Sequence, residues 1–127
     1  MRHLVITLIS TCLIGCAGSI HQPEIPAATD TLTTVYALAH GARETNPLGF
    51  GGATLAKIIY LAKFRPPESA PQARADADRL VSSVWWGATI NNLAVITCAP
   101  PLAVSLAIGA MGGWIIYNIK PNAEETK

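Results

Sequence analysis

Apolar runs alternate along the chain with short polar breaks that carry proline. Residues 4–13, 48–64, 80–98 and 102–119 are the runs, and 17–27, 65–79 and the Pro100-Pro101 pair are the breaks. Between the first break and the second run lies 30–47, which holds most of the polar residues next to apolar sequence. At helical spacing Asp30, Thr33, Thr34, Ala37, Gly41 and Glu44 fall on one stripe, and Leu32, Val35, Tyr36 and Leu38 fall mostly away from it. Pro26 and Thr29 or Asp30 predict the start of this helix, and Gly41 predicts its end. Asn46-Pro47 then supplies a cap and a first-turn proline for a second helix over 48–64, making 28–64 a helical hairpin.

The second break, 65–79, reads as a polar loop in which 72–79 forms a charged turn or two of helix with Arg74, Asp76, Asp78 and Arg79. Residues 80–98 and 102–119 are uncharged and of spanning length, so 80–119 is expected to be a transmembrane hairpin, followed by a polar tail over 120–127. Trp85 and Trp86 are placed for part of an aromatic belt, and in the last run Gly109, Gly112 and Gly113 offer close-packing positions, with Trp114 and Tyr117 near its end.

Composition strengthens the membrane expectation. Half of the 127 residues are hydrophobic and 13% are charged, about half the charge of an ordinary soluble domain. A formal charge of +1 without a Lys/Arg cluster argues against nucleic-acid binding. Cys12, Cys16 and Cys98 have neither zinc spacing nor an even count, so neither a metal site nor a disulfide framework is expected, and no catalytic cofactor is implied. Cys98 reads as a small buried hydrophobe.

Arg2 and His3 before the 4–13 run make a positive head on an apolar core too short to span comfortably, which reads as a targeting segment. The run ends in Leu13-Ile14-Gly15-Cys16, which resembles the bacterial lipoprotein box. The resemblance implies cleavage of a 1–15 signal peptide, diacylglycerol on the Cys16 sulfur and a fatty acyl group on its amine. Several acyl chains hold a protein stably where one does not. Residues 16–27, with Gly18, Pro23 and Pro26, then form a tether.

Lys57 is the charge that interrupts the second run. It lies about twelve residues beyond the turn and Asp30 about fifteen before it, so antiparallel helices rising about 1.5 Å per residue bring the two within reach. An Asp30–Lys57 ion pair is one reading; a snorkelling lysine and a helix-capping aspartate are the other. Asn91-Asn92 in mid-run is open to interhelical hydrogen bonding or to a polar path for an ion or solute. His40 and Glu44, four apart, could act as a base and its orienting partner, though no nucleophile or metal constellation accompanies them.

Asp30-x-x-Thr33-Thr34, Gly41-Ala42-x-Glu44-x-Asn46-Pro47-Leu48 and Lys57 resemble the signature of a family of small, uncharacterised bacterial integral membrane proteins, with a weaker echo at Asn91-Asn92-Leu93. The resemblance implies a helical membrane fold and no reaction. It spans roughly 30–64, and this chain departs from it in front, where a proline-broken tether replaces a full first span.

The expected fold is all-α: a small helical membrane bundle with one amphipathic helix and about three membrane helices after a lipoprotein signal. Lys63, Arg65, Arg74, Arg79, Lys120 and Lys127 would be cytoplasmic by the positive-inside rule, whereas a lipidated Cys16 is periplasmic. The Asp30 helix is therefore expected to lie on the surface or to dip and return. The expected function is that of a lipid-anchored envelope protein with a structural or interaction role, its partners being membrane lipids and itself or other envelope proteins. A channel or transporter component using Asp30, Lys57, Asn91 and Asn92, and a membrane-embedded enzyme using Asp30, His40 and Glu44, are the alternatives. The apolar runs favour the inner membrane, while Ala17 after the cysteine, by resemblance to lipoprotein sorting rules, points to the outer.

Overall fold

The computed structural model describes residues 20–43, 48–98 and 100–119, so the stretch expected to be a signal, Cys16, Glu44, Asn46 and residues 120–127 lie outside the described residues. Among these residues the fold is all-helical, with α1 Glu24–Ala39, α2 Gly49–Ile59, α3 Pro71–Cys98 and α4 Leu102–Asn118. Helix α1 starts inside the stretch expected to be tether. Pro23 at its cap and Pro26 in its first turn sit where no N–H is needed, and Glu24 favours the positive end of the helix dipole. Its end is closed by Gly41 at φ +87°, with the Gly41 N–H on the Leu38 carbonyl and the Ala42 N–H on that of Ala37.

Helix α2 runs into one wider turn, Tyr60–Phe64, in which the Arg65 N–H reaches the Tyr60 carbonyl at 2.8 Å. The polar loop is shorter than expected, because α3 begins at Pro71 and passes without a break from its charged first turns into the apolar run. Pro71 suits a first helical position, and no proline follows before the end of that helix.

Helices α3 and α4 form an antiparallel pair in unusually close approach. Ser83, Gly87 and Asn91 recur every fourth residue on α3, as do Ser105, Gly109 and Gly113 on α4. A Cβ added at Gly87 would stand 2.8 Å from the Gly109 carbonyl oxygen, and one at Gly113 would stand 2.7 Å from that of Ser83. Small residues at this spacing let two backbones touch. Helix α1 lies along α3 in the same direction, from the Trp86 Nε1–H on the Ile20 carbonyl at 2.9 Å to Asn92 beside Asp30. Helix α2 runs antiparallel to α1, tied by Lys57 to Asp30 at one level and by Arg65 to Glu24 at another.

The Asp30 helix is a full member of the bundle, its polar stripe finding partners on two other helices. Trp86 is likewise buried, its ring spent inside the bundle, whereas Trp114 is 67% exposed.

Burial is inverted relative to a water-soluble domain. The buried apolar side chains among the described residues are Pro23, Pro26, Ala27, Ala37 and Trp86, with Asp30, Thr33, Lys57, Asp78, Ser82, Ser83, Thr89 and Ser105 buried beside them. Leu32, Leu55, Val84, Val104, Met111 and Ile115 face outward. Buried hydroxyls turn back on their own helices, Thr33 on Thr29, Thr89 on Trp85 and Ser105 on Leu102.

No helix among the described residues is long and apolar enough to cross a membrane, so helix length and hydropathy do not support the expectation of about three spanning helices. Helix α4 has 17 residues and so rises about 25 Å, short of a hydrocarbon core of about 30 Å. In α3 the residues Ser82, Ser83, Thr89, Asn91 and Asn92 lower the mean hydropathy.

One end of the bundle is knit by Arg65, which grips both Asp78 oxygens, Nη2 to Oδ2 at 2.7 Å and Nε to Oδ1 at 2.9 Å, and also meets Glu24. The Tyr60 hydroxyl donates to Asp78 at 3.2 Å, and the Asp78 hydrogen bond is the main reason the Arg65 guanidinium is held even more firmly protonated than usual. Arg65→Lys loses the fork that a carboxylate accepts, and is expected to destabilise by about 1–3 kcal/mol, read as a lower thermal midpoint.

Candidate functional site

Asp30, Thr33 and Thr34 share a face of α1 because residues three and four apart on a helix are neighbours. Helix α2 delivers Lys57 to them, its Nζ donating to Asp30 Oδ2 at 2.5 Å and to Thr31 Oγ1 at 3.2 Å. Helix α3 delivers Asn92, whose amide nitrogen lies 2.9 Å from Asp30 Oδ1, 2.8 Å from Thr34 Oγ1 and 3.2 Å from Thr33 Oγ1. Three helices thus meet at one carboxylate. Both residues of the ion pair are 7% exposed, so the two charges are withdrawn from water and depend on one another. Asn92→Leu removes the donor shared by Asp30, Thr33 and Thr34 and is expected to cost about 1–3 kcal/mol, measured by thermal unfolding in detergent.

The cluster forms the floor of a cleft of 730 Å³ between α2 and the α3/α4 pair. Phe50, Leu80, Val84, Leu106 and Trp114 contribute apolar walls, and Thr54, Lys57 and Asn91 contribute polar atoms. On two of these residues a side-chain atom, Thr54 Oγ1 on α2 and Asn91 Oδ1 on α3, is closed to water and has no hydrogen-bond partner among the described residues. A buried polar atom left unpaired costs about 1–3 kcal/mol.

The structure brings together Asp30, Thr33, Thr34, Lys57 and Asn92, with Asn91 one residue further along the cleft. Glu44, Asn46 and Cys16 are outside the described residues. His40 is not part of the cluster: it is exposed at the end of α1, about 15 Å along the helix from Asp30, stacked on Tyr36 with its ring nitrogen 2.8 Å from the Tyr36 carbonyl. His40 and Asp30 therefore do not share one site, and the pairing of His40 with Glu44 falls on a residue outside the described ones. Sequence reasoning missed Thr31 and Thr54, although Thr54 stands three residues before Lys57 and so shares its face. It also missed the Glu24–Arg65–Asp78 cluster, because Asp78 was read as solvated and is 8% exposed. Cys98 is exposed rather than buried.

No protein-family model, no curated protein and no solved structure matches this chain. The resemblances drawn from its motifs therefore rest on the residues themselves.

Proposed function

We propose that this chain is a lipid-anchored protein of the bacterial envelope whose helical bundle is embedded in the apolar layer of the membrane and serves association there, with itself or with other envelope proteins. The observation that carries this reading is the inverted burial: charged and hydroxyl side chains inside, leucine, isoleucine, valine and methionine outside. Mean hydropathy along a helix counts every side chain, whereas lipid meets the outward face alone. The polar residues of α3 at positions 82, 83, 89, 91 and 92 are buried or half-buried, and Leu80 and Val84 face out. Short helices are accommodated by local thinning of the bilayer, at fractions of a kcal/mol per Å.

In this reading the start of α1, the α2–α3 connection and the end of α4 share one face, since Glu24, Arg65 and Asp78 meet and the Arg79 Nε–H reaches the Tyr117 carbonyl. A lipidated Cys16 a few residues before α1 puts that face on the periplasmic side. Lys63, Arg65, Arg74 and Arg79 then run against the positive-inside rule, and ion pairing of Arg65 and Arg74 with Asp78, Glu24 and Glu68 softens that conflict.

The test is metabolic labelling with a fatty acid in the wild type and in Cys16→Ser, with membranes washed in alkaline carbonate. Label lost from the variant while the protein stays in the carbonate pellet is the expected result. Absence of label in the wild type removes the lipid anchor, and release of the variant into the wash contradicts the embedded bundle. A solute path through Asp30, Lys57, Asn91 and Asn92 is the second reading, favoured by the cleft: alanine at both asparagines that spares assembly and abolishes flux would select it.

A further inference from the structure

We infer that the cleft between α2 and the α3/α4 pair seats one acyl chain of an anionic phospholipid whose phosphate sits on Arg79. This rests on the embedded reading, since a phospholipid chain reaches the cleft only from a bilayer. The arginines at this end of the bundle are unequally matched. Arg65 pairs with Glu24 and Asp78, and Arg74 with Glu68 and Asp78, whereas Arg79 has no carboxylate partner among the described residues. Its guanidinium is nonetheless held in place: the Nε–H donates to the Tyr117 carbonyl at 2.6 Å, and Cζ stands 4.7 Å from the centre of the Tyr117 ring. Both Nη nitrogens remain for an outside acceptor, and parallel N–H groups of a guanidinium fit two oxygens of a phosphate.

Tyr117 ties this cation to the cleft, because the residue that carries Arg79 on its ring also lines the cleft wall. Tyr117 and Trp114 are 42% and 67% exposed and combine an apolar ring with a polar tip, which suits the level where head group meets chain. Leu80, Val84 and Leu106 continue the wall. From Leu80 to Asn92 the cleft follows α3 for about 18 Å at about 1.5 Å per residue, close to the ~15 Å that one leaflet fills in a hydrocarbon core of about 30 Å. Its floor asks for no further charge, since Lys57 is matched by Asp30. A net negative head follows from the same reckoning. A zwitterionic head brings a cation of its own, and the carboxylates at this end are engaged, Glu24, Glu68 and Asp78 by arginine and Asp76 by Gln72.

The test uses full-length protein in phosphatidylcholine vesicles that carry a rising fraction of chain-brominated phosphatidylglycerol or, in a parallel series, chain-brominated phosphatidylcholine. Bromine quenches the Trp114 indole on the cleft wall, and Trp114→Phe supplies the background of the other tryptophans. The wild type is expected to prefer phosphatidylglycerol about five- to tenfold, and Arg79→Gln to lower the preference to below about twofold. Ala110→Phe fills the cleft from an exposed position on its wall and is expected to lower it as far. Lys63→Gln removes an exposed charge from the end of α2 and is expected to leave the preference as in the wild type. Circular dichroism and the thermal midpoint establish which variants are folded, and Ala110→Phe carries the test should Arg79→Gln fail to fold. An unchanged preference in either folded variant, or an equal loss in Lys63→Gln and Arg79→Gln, would overturn the assignment. Equal quenching of the wild type by the two lipids would overturn the site alone, whereas no quenching by either would overturn the embedding and the site together.

Discussion

Lys57→Met is expected to collapse the level of folded protein, and Lys57→Met with Asp30→Asn to recover most of it. Methionine keeps the length and apolar stem of lysine, so packing changes little. What changes is that the Asp30 carboxylate, 7% exposed, keeps its hydrogen bond from Asn92 but loses its cation. Removing one partner of a buried ion pair costs about 3–5 kcal/mol, a large share of the stability of a domain this small. The asparagine of the double variant is uncharged, can still accept from Asn92, and leaves no buried charge. The measurement is protein level together with the thermal midpoint in detergent, for both single variants and the double. A Lys57→Met protein as stable as the wild type would mean that the lysine reaches solvent and that the ion pair contributes nothing.

The second large effect is expected at the α3/α4 contact. Gly109→Leu should separate the two helices, and Gly109→Ala should already cost about 1–3 kcal/mol. A Cβ at Gly109 would lie 2.8 Å from both the Gly87 carbonyl oxygen and Asn91 Cβ, and backbone on one side cannot rotate away as a side-chain tip can. The same substitution at Gly51 on α2 meets nothing within 4 Å. There the higher helix propensity of alanine is worth about 0.5–1 kcal/mol of added stability, so the two glycine-to-alanine changes are expected to differ in sign. Thermal midpoints of the two alanine variants, measured side by side, decide it. Equal small effects at both positions would show that the helix pair does not depend on contact between its backbones.

The Asp30–Lys57 pairing was legible because it follows from rise per residue and the position of a turn, both properties of sequence. The α3/α4 seam was legible in part, through Gly109 and Gly113, because small residues four apart have one packing use between helices. Gly112, one residue off that spacing, meets the Ile90 side chain instead of backbone. The start of α1 lies at Glu24, slightly before the Pro26 to Asp30 stretch that predicts it, because Pro23, which reads as a breaker in the tether, serves as its cap. Asp78 and Trp86 were placed at the surface because charge and interfacial habit suggested it. Their burial depends on Arg65, brought round by the wider turn at Tyr60–Phe64, and on the Ile20 carbonyl, neither of which a local pattern reveals. The cleft escaped for the same reason, since its lining comes from helices distant in the sequence.

The central claim is that the exposed apolar faces meet lipid. It is tested most directly by nitroxide labels at Leu55, Val104 and Met111, introduced singly in a protein whose own three cysteines are replaced and which is reconstituted into liposomes. The account predicts high accessibility to oxygen and low accessibility to a water-soluble nickel chelate at all three positions. High accessibility to nickel at these positions would contradict it, and the apolar faces would then be surfaces exposed to water.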